Sequence, residues 1–152
     1  MTLAETHAAT PRMPGFWLAF FVNMVWINAS EVFRYFAFVM PMMRDALPGV
    51  PDAAPMDLTV FLIWGVWDTI LVSAVTLLAW IALDRFGATS RNALAVGTGL
   101  WTAIFVILWL GLFNMNLAPA SVLAVALPLA WVEMVVAALI VCWAIQRSGD
   151  QG

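Results

Sequence analysis

Three carboxylic acids, Glu31, Asp68 and Glu133, stand inside long apolar runs, and a single arginine, Arg34, stands with them. A charged group at the centre of a bilayer costs at least ~2.5–3.5 kcal/mol on insertion scales. Three such residues therefore call for a partner or a purpose. Glu31 precedes Arg44 by 13 residues, Asp68 follows Asp57 by 11, and Glu133 follows Ser121 by 12. At a rise of ~1.5 Å per helical residue, all three reach a depth of roughly 16–20 Å, close to the midplane. Carboxylates brought to one depth by separate helices are the groups from which proton relays and cation pathways are built. If they converge, three acids against one arginine leave two negative charges in excess. Such a cluster is expected to hold at least one proton on a carboxyl, or to bind a cation.

The first helix supplies a polar stripe for this chemistry in the segment "NASEVFR", Asn28–Arg34. At 100° per residue, Asn23, Ser30 and Arg34 fall within about 40° of one another, and Glu31 and Arg34 form an i,i+3 pair. Asn28 and Tyr35 flank the stripe, which is expected to face other helices because lipid cannot satisfy its groups. Trp64 and Trp67 adjoin Asp68, Trp131 adjoins Glu133, and Trp109 reaches a comparable level. Acids lined by indoles can hold an organic cation through charge and cation–π attraction, or the indoles can simply fill space. Pro128, five residues before Glu133, removes one helical hydrogen bond beside that acid. Thr69, Ser73 and Thr76 either extend a polar track below Asp68 or bond their own helix. The structural alternative for the whole stripe is an ion pair that fixes helix packing.

The elements that must position these residues follow from the apolar runs. The 152-residue chain is 64% hydrophobic, with a mean hydropathy of +0.97, well above soluble usage. Runs over about 16–43, 58–83, 93–117 and 121–145 each exceed the ~20 residues that cross a ~30 Å hydrocarbon core as a helix. They lack the ~10-residue alternation of barrel strands. The fold expected is an all-α, four-helix transmembrane bundle in one domain, up-down-up-down, bounded by tails over 1–15 and 146–152. The outer loop 44–57 is proline-rich, and with Pro41 before it the segment reads as unable to continue a helix. "WGVWD…AWIALDRFG" in helix two echoes "LAWVE…CWAIQRSG" in helix four, which raises the prospect of two parallel hairpin repeats.

Charge orients the bundle. There is no lysine, and with both termini inside, Arg12, Arg85, Arg91 and Arg147 face the cytoplasm while only Arg44 lies outside. That satisfies the positive-inside rule and predicts a multi-pass protein of a bacterial inner membrane. The first apolar run is too long for a cleavable signal peptide. A net charge of −3 argues against nucleic acid as a partner. The expected partners are the lipid bilayer and either further copies of the chain or another membrane subunit.

Other signals point nowhere specific. Met40, Met42, Met43, Met56 and Met115 gather toward one face but suit pliable packing as well as copper. Cys142 is the lone cysteine, and His7, the lone histidine, lies in the N-terminal tail. No catalytic set, cofactor or metal ligand set is recognised. The four residues Asn28–Glu31 resemble an Asn-x-x-Glu pattern of four-helix membrane glutathione-dependent enzymes, without the basic residues that precede it there. Small multidrug-resistance transporters also place a glutamate in the first of four helices. The chain is assigned to neither family. Two functions are carried forward: a proton- or cation-coupled transporter using Glu31, Asp68 and Glu133 with Arg34 tuning their charge, and an accessory or assembly subunit whose intramembrane charges pair with a partner's helices. Acids that face inward favour the first, and acids that face lipid favour the second.

Overall fold

Local capping chemistry sets where each span starts and stops. A computed structural model describes residues 13–50 and 55–149; His7, Arg12 and Asp52 lie outside the described residues. Four helices, Gly15–Ala46, Leu58–Phe86, Ser90–Asn114 and Ala120–Gly149, are each long and apolar enough to cross a membrane, and no strand occurs among the described residues. The second helix begins where the Asp57 carboxylate accepts from the Val60 N–H at 2.9 Å, satisfying one of the orphan amides of the first turn. It ends at Gly87, whose φ of +98° disfavours a side chain. Asn92 then donates to the carbonyls of Phe86 and Gly87, and Thr89 caps the third helix by accepting from the Asn92 N–H. The result is a tight hairpin at the end of the bundle that also carries the start of the first helix and the end of the fourth.

The fourth helix is the centre of the bundle. It packs on the other three, and half of its apolar stretch is buried, against a third or less for each of the others. Val122, Ala126, Ala130, Glu133, Ala137, Val141 and Ala144 recur at steps of three and four and are all fully buried. Small side chains along such a stripe let neighbouring backbones approach closely, which is how helices associate without a hydrophobic drive in lipid. Gly97 of the third helix meets it: a Cβ there would fall 2.6 Å from Val135 Cα. The outward surfaces are apolar, with Phe21, Val25, Leu62, Val66 and Ile107 exposed as a lipid environment requires.

Two helices depart from regular winding. The first helix, expected to end near residue 43, runs through Pro41 and on to Ala46. A π turn over Tyr35–Val39 precedes the proline, with the Met40 N–H donating to the Tyr35 carbonyl. The wider turn absorbs the missing proline amide, so the helix continues instead of breaking. A second π turn spans Thr102–Val106 in the third helix. Beyond it, Ile107–Asn114 packs on the fourth helix and not on the second. The second and third helices therefore meet near their hairpin and separate toward the opposite end.

Candidate functional site

Arg34 is the last residue before the first π turn and is 5% exposed. Its Nη1 donates to Glu133 Oε2 at 2.9 Å and its Nη2 to Glu31 Oε1. The face of Phe105, on the second π turn, covers the guanidinium with its centroid 4.8 Å from Cζ. Both irregular turns thus adjoin one side chain, consistent with the concentration of π turns at functional sites.

Glu133 is completely buried, and its second oxygen, Oε1, has no hydrogen-bond partner among the described residues. The Ser30 hydroxyl lies beside the same carboxyl, and the Glu133 backbone carbonyl accepts from the Trp26 indole at 3.0 Å. Asp68, 4% exposed, has the Trp64 indole as its hydrogen-bonding neighbour. It is within electrostatic reach of Glu31, Arg34 and Glu133. The structure therefore gathers acids from three helices around one arginine, which bonds two of them and leaves the third without an ion pair among the described residues. An unpaired acceptor in a fully buried carboxylate is costly. No group of three or more acid, cysteine or histidine side chains among the described residues is placed to hold a metal ion.

Above the cluster lies a pocket of about 430 Å³ in the gap between the first, second and third helices. Glu31 and Arg34 form its polar floor, and Tyr35, Trp64, Trp67, Phe105 and Trp109 form its walls. The Tyr35 and Trp64 rings meet edge to face, 5.1 Å between centroids. Near the rim, Val39, Met56 and Leu112 continue toward the end of the bundle opposite the termini.

Of the residues singled out in the sequence, Glu31, Arg34, Asp68, Glu133 and Ser30 lie in the cluster, and Tyr35, Met56, Trp64, Trp67 and Trp109 line the pocket. The others lie elsewhere. Asn23 is buried further toward the termini, donating to Thr76 Oγ1 at 3.0 Å and to the Ala137 carbonyl at 3.4 Å. Asn28 donates to the Met24 carbonyl of its own helix. Trp131 turns away from Glu133 and donates to Thr98 Oγ1, where it lines a shallow apolar groove with Trp101 and Pro128. Thr69 and Ser73 bond their own helix, so of the three hydroxyls below Asp68 only Thr76 reaches across to another helix.

Two contributors are not evident from residue pattern. Phe105 carries no signal, being one aromatic residue on an apolar helix. Trp26 does carry one: a buried indole N–H requires an acceptor, and here it finds the backbone of the residue whose carboxylate Arg34 holds. No protein family, curated protein or solved structure matches this chain.

Proposed function

We propose that this protein is a small proton-coupled membrane transporter in which Glu31, Asp68 and Glu133 share the exchangeable proton. Arg34 sets how many of them are ionised at once. One observation carries the reading: Arg34 bonds acids from the first and fourth helices, with buried Asp68 of the second within electrostatic reach, and the fully buried Glu133 Oε1 has no hydrogen-bond partner among the described residues. A purely structural ion pair needs one acid, and the extra carboxyls have no packing role that an apolar residue would not fill better. The pocket directly above supplies a place for a solute whose binding competes with, or depends on, that proton. Inward-facing Asp68 and Glu133 lend no comparable support to an accessory subunit, whose charges would face a partner.

The test uses proteoliposomes loaded with a pH-sensitive dye and held under an imposed pH gradient. Representative cationic, neutral and anionic solutes are added outside. Coupled transport gives a solute-dependent collapse of the gradient, abolished by Asp68→Asn and by Glu133→Gln while both variants still insert. Unchanged flux in both variants, or no solute-dependent proton movement in the parent protein, sinks the reading.

A further inference from the structure

We propose that protons leave the acid cluster through the core toward the hairpin end, crossing an apolar layer of Ile27 and Val72 to a relay at Asn23 and Thr76. The inference rests on the transport reading and adds the route its proton takes. Asn23, Ile27 and Glu31 follow one another at four-residue steps on the first helix, and Asp68, Val72 and Thr76 do so on the second. Residues so spaced share a helix face, one turn apart. The two helices run in opposite directions, which sets Glu31 level with Asp68, Ile27 with Val72, and Asn23 with Thr76. The last pair is bonded at 3.0 Å, and the first lies within electrostatic reach. Asn23, Ile27, Val72 and Thr76 are all fully buried. The column therefore reads polar, apolar, polar, at roughly 6 Å per layer.

Each side of the apolar layer holds a buried acceptor that no described residue satisfies. Glu133 Oε1 lies on the cluster side and Asn23 Oδ1 on the hairpin side, and these are the only two such side-chain atoms among the described residues. Buried polar atoms of that kind are ordinarily met by internal water. The Asn23 amide nitrogen already ties three helices together, donating to Thr76 and to the Ala137 carbonyl. Helix packing explains that nitrogen and leaves the oxygen without a role. Thr69 and Ser73 give their hydroxyl protons to carbonyls of their own helix, whereas the Thr76 oxygen accepts from the first helix. A water on Asn23 Oδ1 is the receiving point for a proton that another water collects at Glu133.

Beyond Asn23 the obstacles shrink. One turn on, the fully buried Ala19 and Ala79 stand where Ile27 and Val72 stand above. After a further turn of the first helix, the Ser148 hydroxyl fills the space that a side chain at Gly15 would need. Polar groups thus recur every eight residues along this helix, roughly 12 Å apart, and Ile27 with Val72 forms the bulkiest step between them. That layer holds protons back until the bundle shifts. A coupled transporter requires such a barrier, because otherwise its proton runs downhill without solute.

Proteoliposomes under an imposed pH gradient, with potassium and valinomycin to balance charge, are followed by an internal pH dye without added solute. Val72→Ala and Ile27→Ala thin the layer and are expected to raise proton leak about tenfold or more. Adding Glu133→Gln to Val72→Ala abolishes the leak, because the route begins at the acids. Adding Asn23→Leu or Thr76→Val instead slows it about tenfold, and Asn23→Ser, which keeps a polar atom, slows it less. A merely structural amide gives another pattern: the melting temperature falls with Asn23→Leu and the leak does not. That pattern overturns the proposal, as do tight vesicles with both thinned variants or a leak that survives Glu133→Gln. Solute-coupled proton movement in the parent together with any of these removes the route alone. A Glu133-dependent leak in the Val72→Ala protein, without coupled movement in the parent, removes the transport reading and leaves the route assigned.

Discussion

Arg34 joins two carboxylates that would otherwise repel each other in a medium with little capacity to screen them. Removing one partner of a buried ion pair leaves the other charge uncompensated, which costs about 3–5 kcal/mol. Arg34→Met is therefore expected to destabilise the protein by about that amount, because both Glu31 and Glu133 lose their donor. Glu31→Gln is expected to cost less, since Arg34 keeps Glu133. Adding Glu133→Gln to Arg34→Met should recover part of the loss, because the buried charge disappears with its partner. Denaturation in mixed micelles measures all three, and a loss below about 1 kcal/mol for Arg34→Met would refute the account. At this scale the sequence is partly legible. The three-residue spacing of Glu31 and Arg34 is a local property of a helix, so the pair can be read from the residue order alone. The bond from Arg34 to Glu133 spans 99 residues and arises only from how the first and fourth helices pack. Phe105 reaches the guanidinium from a π turn, and neither its apolar neighbours nor its spacing advertises that.

Packing of the elements depends on a few positions where backbones nearly touch. An added methyl at Gly97 must displace Val135 Cα and the Met134 carbonyl, 2.6 and 2.8 Å away. Rigid backbone cannot yield as a side-chain tip does, so Gly97→Ala is expected to destabilise by about 1–3 kcal/mol, the usual cost of overpacking. Two residues along the same helix, Gly99 has nothing within 4 Å. Gly99→Ala should be neutral or stabilising by up to about 1 kcal/mol, because alanine is the better helix former. Thermal melts in detergent compare the two, and shifts of the same sign would count against the observed contact between third and fourth helices. The existence of the elements is plain from the length of the apolar runs, whereas their ends are less so. The proline-rich segment reads as ending the first helix near residue 43, yet the π turn at Tyr35–Val39 accommodates Pro41 and the helix continues to Ala46. Compensation of that kind involves the hydrogen-bond register of a whole turn, and residue types alone do not specify it.

For the molecule as a whole, hydropathy counts the spans but does not rank them, since all four are apolar on most sides. The fourth is the centre because its alanines leave room for three neighbours, and the acids of the first and second helices then have one place to meet. This architecture makes the two ends unlike. The end where the first helix starts and the fourth finishes is closed by the second-to-third hairpin and carries Arg85, Arg91 and Arg147; the other holds Arg44 and opens into the aromatic pocket. Positive residues retained on the cytoplasmic side predict that the pocket faces away from the cytoplasm. Cysteine labelling tests this in a Cys142→Ser background. Gly49→Cys, on the exposed loop, should react with a membrane-impermeant maleimide added to intact cells stripped of any outer envelope. Ser90→Cys, exposed at the opposite end, should react only in inverted vesicles. The reverse pattern would place the pocket on the cytoplasmic side, and the proton-coupled movement proposed for its solute would then begin from within the cell.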